Sequence, residues 1–212
     1  MATTDAEYFS IIFVCSGNRF RSPLAEGFVR SLTQGLPVVV GSFGTLEIGS
    51  VPPLEEAEHI AEACGVDLSR HRTRHLGSQS LADTDLLLGF EKEHARSAVV
   101  DAGVRADRAF MLREIVSLLG GDQVHRTGDI VADGRLAVRT AAERRAALSQ
   151  ESKIEPIRDP FGGSWRLHKS VAAEVRDLSI ALVDGLFGVK ENNALPPFPR
   201  DLARPRSTAR RL

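Results

Sequence analysis

Apolar positions along the chain fall into two alternating patterns. Tyr8 to Val14 is a nearly unbroken run of aromatic and β-branched residues, which predicts a buried strand. Leu24, Phe28 and Leu32 then recur at i, i+4 and i+8, one face of a helix. Ser22 is placed to cap that helix, and Pro23 suits its first turn. Pro37 to Phe43 predicts a second strand around Val38, Val39 and Val40. Residues 53–64 predict a helix with Leu54, Ala57, Ile60, Ala61 and Cys64 on or near one face, stopped by Gly65. A third strand is predicted over Thr84–Phe90, a helix over Glu91–Val100 ending near Gly103, and a short fourth strand over Ala109–Leu112. The last helix starts after Gly163 with Ser164 as its cap and runs to about Leu186.

Strands alternating with helices imply an α/β fold, a parallel sheet with helices on both faces. In such folds the site lies at the carboxyl ends of strands, near a reversal in strand order, so the loop after the first strand is the first place to look. Residues 120–153 interrupt the pattern with Gly120, Gly121, Gly128 and Gly134, then a polar helix-like stretch from Arg139 to Gln150. They are expected to form a loop and a surface helix inserted into the core.

Composition narrows the class without naming a function. The chain has 212 residues, 42% hydrophobic and 26% charged, in keeping with one globular domain with additions. Ile11 to Cys15 is far too short to span a bilayer, and Met1 to Glu7 carries two acids and no Lys or Arg. No membrane segment or secretory signal is therefore expected, and the cytoplasm is the expected compartment. Two cysteines cannot make a disulfide framework. The net charge of −1 averages an acidic body with a basic tail, where Arg200, Arg204, Arg206, Arg210 and Arg211 face only Asp201. Residues 1–190 are thus expected to be one domain with an insertion at about 120–153, and the Pro- and Arg-rich residues 191–212 a disordered extension. Five dispersed arginines do not predict nucleic-acid binding.

The chemistry concentrates in Cys15-Ser16-Gly17-Asn18-Arg19-Phe20-Arg21-Ser22. A loop this short between strand and helix can curl its N–H groups inward, making an anion cradle with the helix N-terminus. Gly17 and Asn18 tolerate the left-handed backbone that a curl requires. Arg21 supplies a planar guanidinium that can hold two phosphate oxygens. Cys15 sits at the base of the cradle, where the same positive field favours the thiolate nucleophile. Ser22 can donate a hydrogen bond to it. The arrangement suits attack on the phosphorus of a phosphate ester with no metal or other cofactor. The leaving group needs a proton, and Asp159, in a Pro/Gly-punctuated loop before the last helix, can supply it. An Asp-Pro pair is also ordinary turn chemistry.

At these residues the chain resembles the low-molecular-weight protein tyrosine phosphatases. The loop and helix start read Cys15-Ser16-Gly17-Asn18-Arg19-Phe20-Arg21-Ser22-Pro23-Leu24-Ala25-Glu26, against the family pattern Cys-x-Gly-Asn-x-x-Arg-Ser-Pro. Ser42-Phe43-Gly44-Thr45, then Gly65 to Ser69 with His71, Arg74 and Leu76, and finally Asp159-Pro160 match further family segments in the same order. The resemblance implies a three-layer fold around a four-stranded parallel sheet. It also implies Cys15 as nucleophile, Arg21 as phosphate clamp and Asp159 as general acid and base. Asn18, Ser22, Ser42 and His71 would hold the loop in shape. Arg19 and Phe161 would touch the leaving group. Arg19-Phe20 stands where many members carry Ile-Cys, so Phe20 cannot form the protective disulfide of those members. Cys64, on an apolar helix face, is expected to be packing.

The expected function is a phosphate monoester hydrolase, a protein tyrosine phosphatase, acting on a phosphorylated protein or a small phosphate ester. The alternatives are a phosphatase of phosphoarginine or a small metabolite, an arsenate reductase using a low-molecular-weight thiol, and a non-catalytic phosphate-binding module. The oligomeric state stays open. His59, His75, His94, His125 and His168 have no metal-ligand spacing, so no metal is expected; His75 and His94 are expected at the surface.

Overall fold

A computed structural model describes residues 8–120, 126–148, 154–188 and 195–205. Strand β1 (Phe9–Cys15) sorts its side chains by parity, as a pleated backbone must. Phe9, Ile11, Phe13 and Cys15 enter one apolar cluster, while Ile12 and Val14 belong to a second on the opposite face. Among the described residues three more strands join it: β2 (Val38–Gly44), β3 (Leu86–Gly89) and β4 (Ala109–Met111). All pairings are parallel, in the order β2-β1-β3-β4.

Helices α1 (Arg21–Leu32), α2 (Glu55–Ala63), α4 (Leu112–Leu119), α5 (Ile130–Ala147) and α6 (Trp165–Phe187) contribute to the larger cluster. Helix α3 (Lys92–Ala102) covers the other face with Ala98 and Ala102. The result is the three-layer α/β sandwich expected from the alternation of strands and helices. Phe13 and Phe28 are wholly buried, and burial of each such side chain contributes roughly 1.5–3 kcal/mol relative to exposure. After β2 the chain crosses β1 to reach β3. The strand order therefore reverses between β1 and β3, and a crevice opens at their carboxyl ends.

Most expected elements are found within about two residues of their forecast ends, and the Ser164 hydroxyl accepts from the Leu167 N–H as a cap should. Helix α1 departs from expectation at its start. It begins at Arg21, and no side chain caps it. The Ser22 hydroxyl is turned to the loop, which leaves the first N–H groups of α1 for an anion.

Two segments differ more. Residues 139–147 of the polar stretch expected from Arg139 to Gln150 form the second half of α5, which starts at Ile130 behind an Asp129 cap. Its Ala137, Val138 and Ala141 are buried, so it is part of the core and not a surface addition. Residues 195–205 of the expected disordered tail lie against α2 and α6. Leu195 is buried, the Trp165 indole donates to the Leu202 carbonyl, and Arg176 donates to the carbonyls of Leu195 and Pro196. The apolar Leu195, Phe198 and Leu202, spaced among prolines, explain the docking. The rest of that tail, the expected helix end at residues 149–150 and His125 fall outside the described residues.

A candidate phosphate-ester site at the end of strand β1

Cys15 is the last residue of β1, and α1 begins six residues later. The loop between them is held in shape mainly by Asn18, the one non-glycine residue with positive φ among those described, at 49°. Its backbone strain is offset by hydrogen bonds on every polar group of its side chain. Nδ2 donates to the hydroxyls of Ser22 at 2.9 Å and Ser42 at 2.8 Å, and Oδ1 accepts from the Arg74 N–H at 2.9 Å. The Asn18 carbonyl accepts from His71 Nε2 at 2.9 Å, so that nitrogen carries the ring proton. Burial, the main cause, pushes the His71 pKa down. Ser42 donates to Glu26 Oε2 at 2.5 Å, and Glu26 is also paired with Arg30. The Cys15 sulfur lies 3.0 Å from the Ser22 hydroxyl.

Glycine is required where β2 passes beneath this loop. A Cβ at Gly44 would stand 2.8 Å from the Ser16 carbonyl oxygen. Its absence lets Thr45 and Leu46 donate to the Cys15 and Ser16 carbonyls at 3.0 and 2.9 Å.

Arg21 is 1% exposed and joins three segments. Nη1 donates to Glu91 Oε1 at 2.5 Å and to the Ile157 carbonyl at 3.0 Å. Nη2 donates to Asp159 Oδ2 at 2.6 Å and to the Ser16 hydroxyl at 3.3 Å. The other oxygen of Asp159 accepts from the Phe161 N–H at 3.1 Å, a local turn that points the carboxylate back at Arg21.

These residues share a pocket of about 370 Å³. Cys15, Ser16, Gly17 and Arg21 line it, Asp159 and Arg19 add charge, and Leu46, Ile48, Val51, Leu54 and Phe161 give it apolar walls. Arg19 Nε is fixed on the Pro52 carbonyl at 3.0 Å. Phe161 is 73% exposed, free to meet a ring. The Phe20 ring is buried, 5.2 Å from His168 between centroids. A cavity of similar size lies between α5 and the amino ends of β3 and β4, so volume alone does not mark the site.

All the expected site residues thus meet around Cys15. Three others were not anticipated. Glu26 lies one helical turn after Ser22 on the same buried face, a spacing that could have disclosed it. Glu91 and His94 enter from the carboxyl end of β3, where the strand reversal is the available clue. His94, expected at the surface, is 4% exposed. Its ring caps α3 and reaches the Ser16 hydroxyl at 3.1 Å. Cys64 is buried and unpaired on the apolar side next to α2, and burial pushes its thiol pKa up. Among the described residues, no group of three or more His, Cys, Asp or Glu is placed to hold a metal ion, and no helix is long and apolar enough to cross a membrane.

The low molecular weight phosphotyrosine protein phosphatase family profile matches residues 10–126. A protein-arginine-phosphatase of Bacillus subtilis is 27% identical over 79% of this chain and 90% of its own length. Low molecular weight protein-tyrosine phosphatase A of Mycobacterium tuberculosis is 35% identical over 49% of this chain and 64% of that relative. The crystal structure of a low molecular weight protein tyrosine phosphatase from T. tengcongensis superposes with a TM-score of 0.62 at 25% identity, covering 84% of this chain and 99% of that one.

Proposed function

This chain belongs to the low molecular weight phosphotyrosine protein phosphatase family and is a hydrolase of that kind, and from that premise we propose that it removes phosphate from tyrosine side chains of proteins through a cysteinyl-phosphate. The observation that carries the reading is one pocket in which the Cys15 sulfur, the Arg21 guanidinium and the Asp159 carboxylate meet beneath apolar walls. The Cys15 thiolate attacks phosphorus, an S–P bond forms and the ester P–O bond breaks. Arg21 and the loop N–H groups hold the charge on the equatorial oxygens. Asp159 gives its proton to the departing phenoxide. The same carboxylate then takes a proton from water as that water attacks phosphorus. The S–P bond breaks, inorganic phosphate leaves, and Cys15 returns as thiolate. Ser22, 3.0 Å away, holds the thiolate in both states.

Leu46, Ile48 and Phe161 suit an aromatic ring. Arg19 can stack on that ring or pair with an acidic neighbour of the phosphotyrosine. Phosphoarginine is the second reading, favoured by the B. subtilis relative that aligns over most of this chain. Against it, the substrate guanidinium would approach the positive charge of Arg19. The relatives above are phosphatases, and an arsenate reductase would have no leaving group for Asp159 to protonate. We assign residues 1–190 to one domain, with 120–153 as an addition to the family pattern and 191–212 as an extension. We assign the protein to the cytoplasm, a reducing compartment that keeps a free thiol such as Cys15 active.

Purified protein offered matched phosphotyrosine, phosphoarginine and phosphoserine peptides tests the reading. Phosphotyrosine turnover is expected to dominate and to vanish in Cys15→Ser. Turnover that survives in Cys15→Ser removes the nucleophile assignment, and preference for phosphoarginine selects the second reading.

A further inference from the structure

The geometry around Ser16 leaves its hydroxyl little choice of partner. His94 Nδ1 lies 3.3 Å from the backbone nitrogen of Phe90 and 3.2 Å from that of Glu91. Backbone N–H groups only donate, so Nδ1 is the acceptor and carries no proton. Burial, with the Arg21 cation as a second cause, pushes the ring's pKa down to about 4, which keeps it neutral at neutral pH. The single ring proton therefore sits on Nε2, which is 3.1 Å from Ser16 Oγ and donates to it. Arg21 Nη2 donates to the same oxygen at 3.3 Å. A serine hydroxyl has two acceptor positions and one hydrogen. With both acceptor positions taken, the hydrogen is left for a third direction, and Ser16 lines the pocket beside Cys15.

We propose that His94 is a positioning residue for phosphoryl transfer, acting through Ser16 to hold that hydroxyl as a donor to an anionic oxygen seated above Cys15. The inference rests on the phosphatase reading for its substrate and on the Ser16–His94–Arg21 contacts for its mechanism. The phosphoryl group gains a neutral donor beside the Arg21 charge, contributed across the reversal between β1 and β3. Helix α3, capped by the same ring, becomes the mount for that donor.

The test separates the link to Ser16 from the cap on α3. In His94→Asn the side-chain oxygen can replace Nδ1 as the cap, but nothing reaches Ser16. His94→Gln can instead offer an N–H near the position of Nε2. The kcat/KM for p-nitrophenyl phosphate and the Kd of inorganic phosphate are measured for Ser16→Ala, His94→Asn, the double variant and His94→Gln. Loss of one neutral hydrogen bond predicts about a three- to tenfold fall in kcat/KM for Ser16→Ala and His94→Asn, with recovery in His94→Gln to within about threefold of wild type. The double variant is expected to fall no further than Ser16→Ala. A wild-type ¹H–¹⁵N spectrum is expected to show His94 as the Nε2–H tautomer. Multiplying losses in the double variant, no loss in Ser16→Ala, or an Nδ1–H tautomer overturns the proposal. Wild-type protein that binds phosphate but turns over no ester overturns the phosphatase reading alone, because the coupling is then read from the phosphate Kd. Wild-type protein that binds no phosphate overturns both.

Discussion

In the proposed mechanism Asp159 has two tasks that compete for one carboxylate. At rest it lies 2.6 Å from Arg21 Nη2, where a substrate phosphate must bind, and in turnover it must face the leaving oxygen. A dianionic phosphate on Arg21 displaces the carboxylate, which loses its cationic partner, takes up a proton from solvent and then serves as the acid. Asp159→Asn is expected to slow hydrolysis of phenyl phosphate by about 10²–10⁴, the usual worth of a general acid. The same variant is expected to bind inorganic phosphate more tightly, because the anion that occupies Arg21 has been neutralised. Steady-state kinetics with phosphate as a competitive inhibitor reads both effects, and an unchanged kcat would return Asp159 to the turn role that its bond to Phe161 already supports. At this scale the sequence was legible where partners lie close along the chain. Cys15, Asn18, Arg21 and Ser22 fall within eight consecutive positions, and their spacing alone suggested an anion cradle. Ser42 and His71 required the family resemblance. Glu91 and His94 stayed hidden because their bonds to Arg21 and Ser16 join residues more than 65 positions apart.

The helices show where periodicity reads well and where it does not. Helix α6 carries large apolar residues such as Val171, Val175 and Leu182 beneath a serine cap, and both ends were foreseeable. Helix α5 buries small residues, Gly134, Ala137, Val138 and Ala141, interspersed with Arg135 and Arg139, so its apolar stripe has low contrast and its first half read as loop. Helix α4 follows β4 without a connecting loop, so no turn residue announces its start. Gly134 shows what small residues achieve. A Cβ there would lie 2.8 Å from the Phe187 ring and 2.9 Å from the Phe9 ring, so glycine permits the close seat of α5. Gly134→Ala would gain up to about 1 kcal/mol of helix propensity in a free helix. Here overpacking is expected to outweigh that gain and destabilise the fold by about 1–3 kcal/mol. Urea unfolding measures the difference, and a stabilised variant would contradict the tight contact with Phe9 and Phe187.

At the scale of the molecule, parallel order and the reversal between β1 and β3 bring residues 15–22, 42, 71, 91–94 and 157–161 to one end of the sheet. Alternating strand and helix patterns predicted the parallel sheet and a site in the loop after its first strand, since a parallel sheet admits few other arrangements, but not which later segments would reach that end. The cost of gathering so many ionisable groups in a buried crevice appears as a dependence of stability on pH. His94 titrates near 4 in the folded protein, against 6.5 for a free histidine. Burial and the Arg21 cation disfavour its protonated form, while Glu91 and Asp159 favour it. Between those two values the unfolded chain binds a proton that the folded protein does not, so stability rises with pH across that window. It follows that stability is whole above pH 6.5, declines as pH falls toward 4, and loses nothing more from this group below that. The full difference is on the order of 3 kcal/mol. His71, whose pKa is also lowered by burial, acts in the same direction. Unfolding free energies measured by urea titration across this window are expected to fall steeply in the wild type and much less in His94→Asn, which removes the titrating ring while retaining an acceptor for the α3 cap. Equal slopes in the two proteins would mean that His94 is not held neutral by its surroundings, and that the acid sensitivity arises elsewhere.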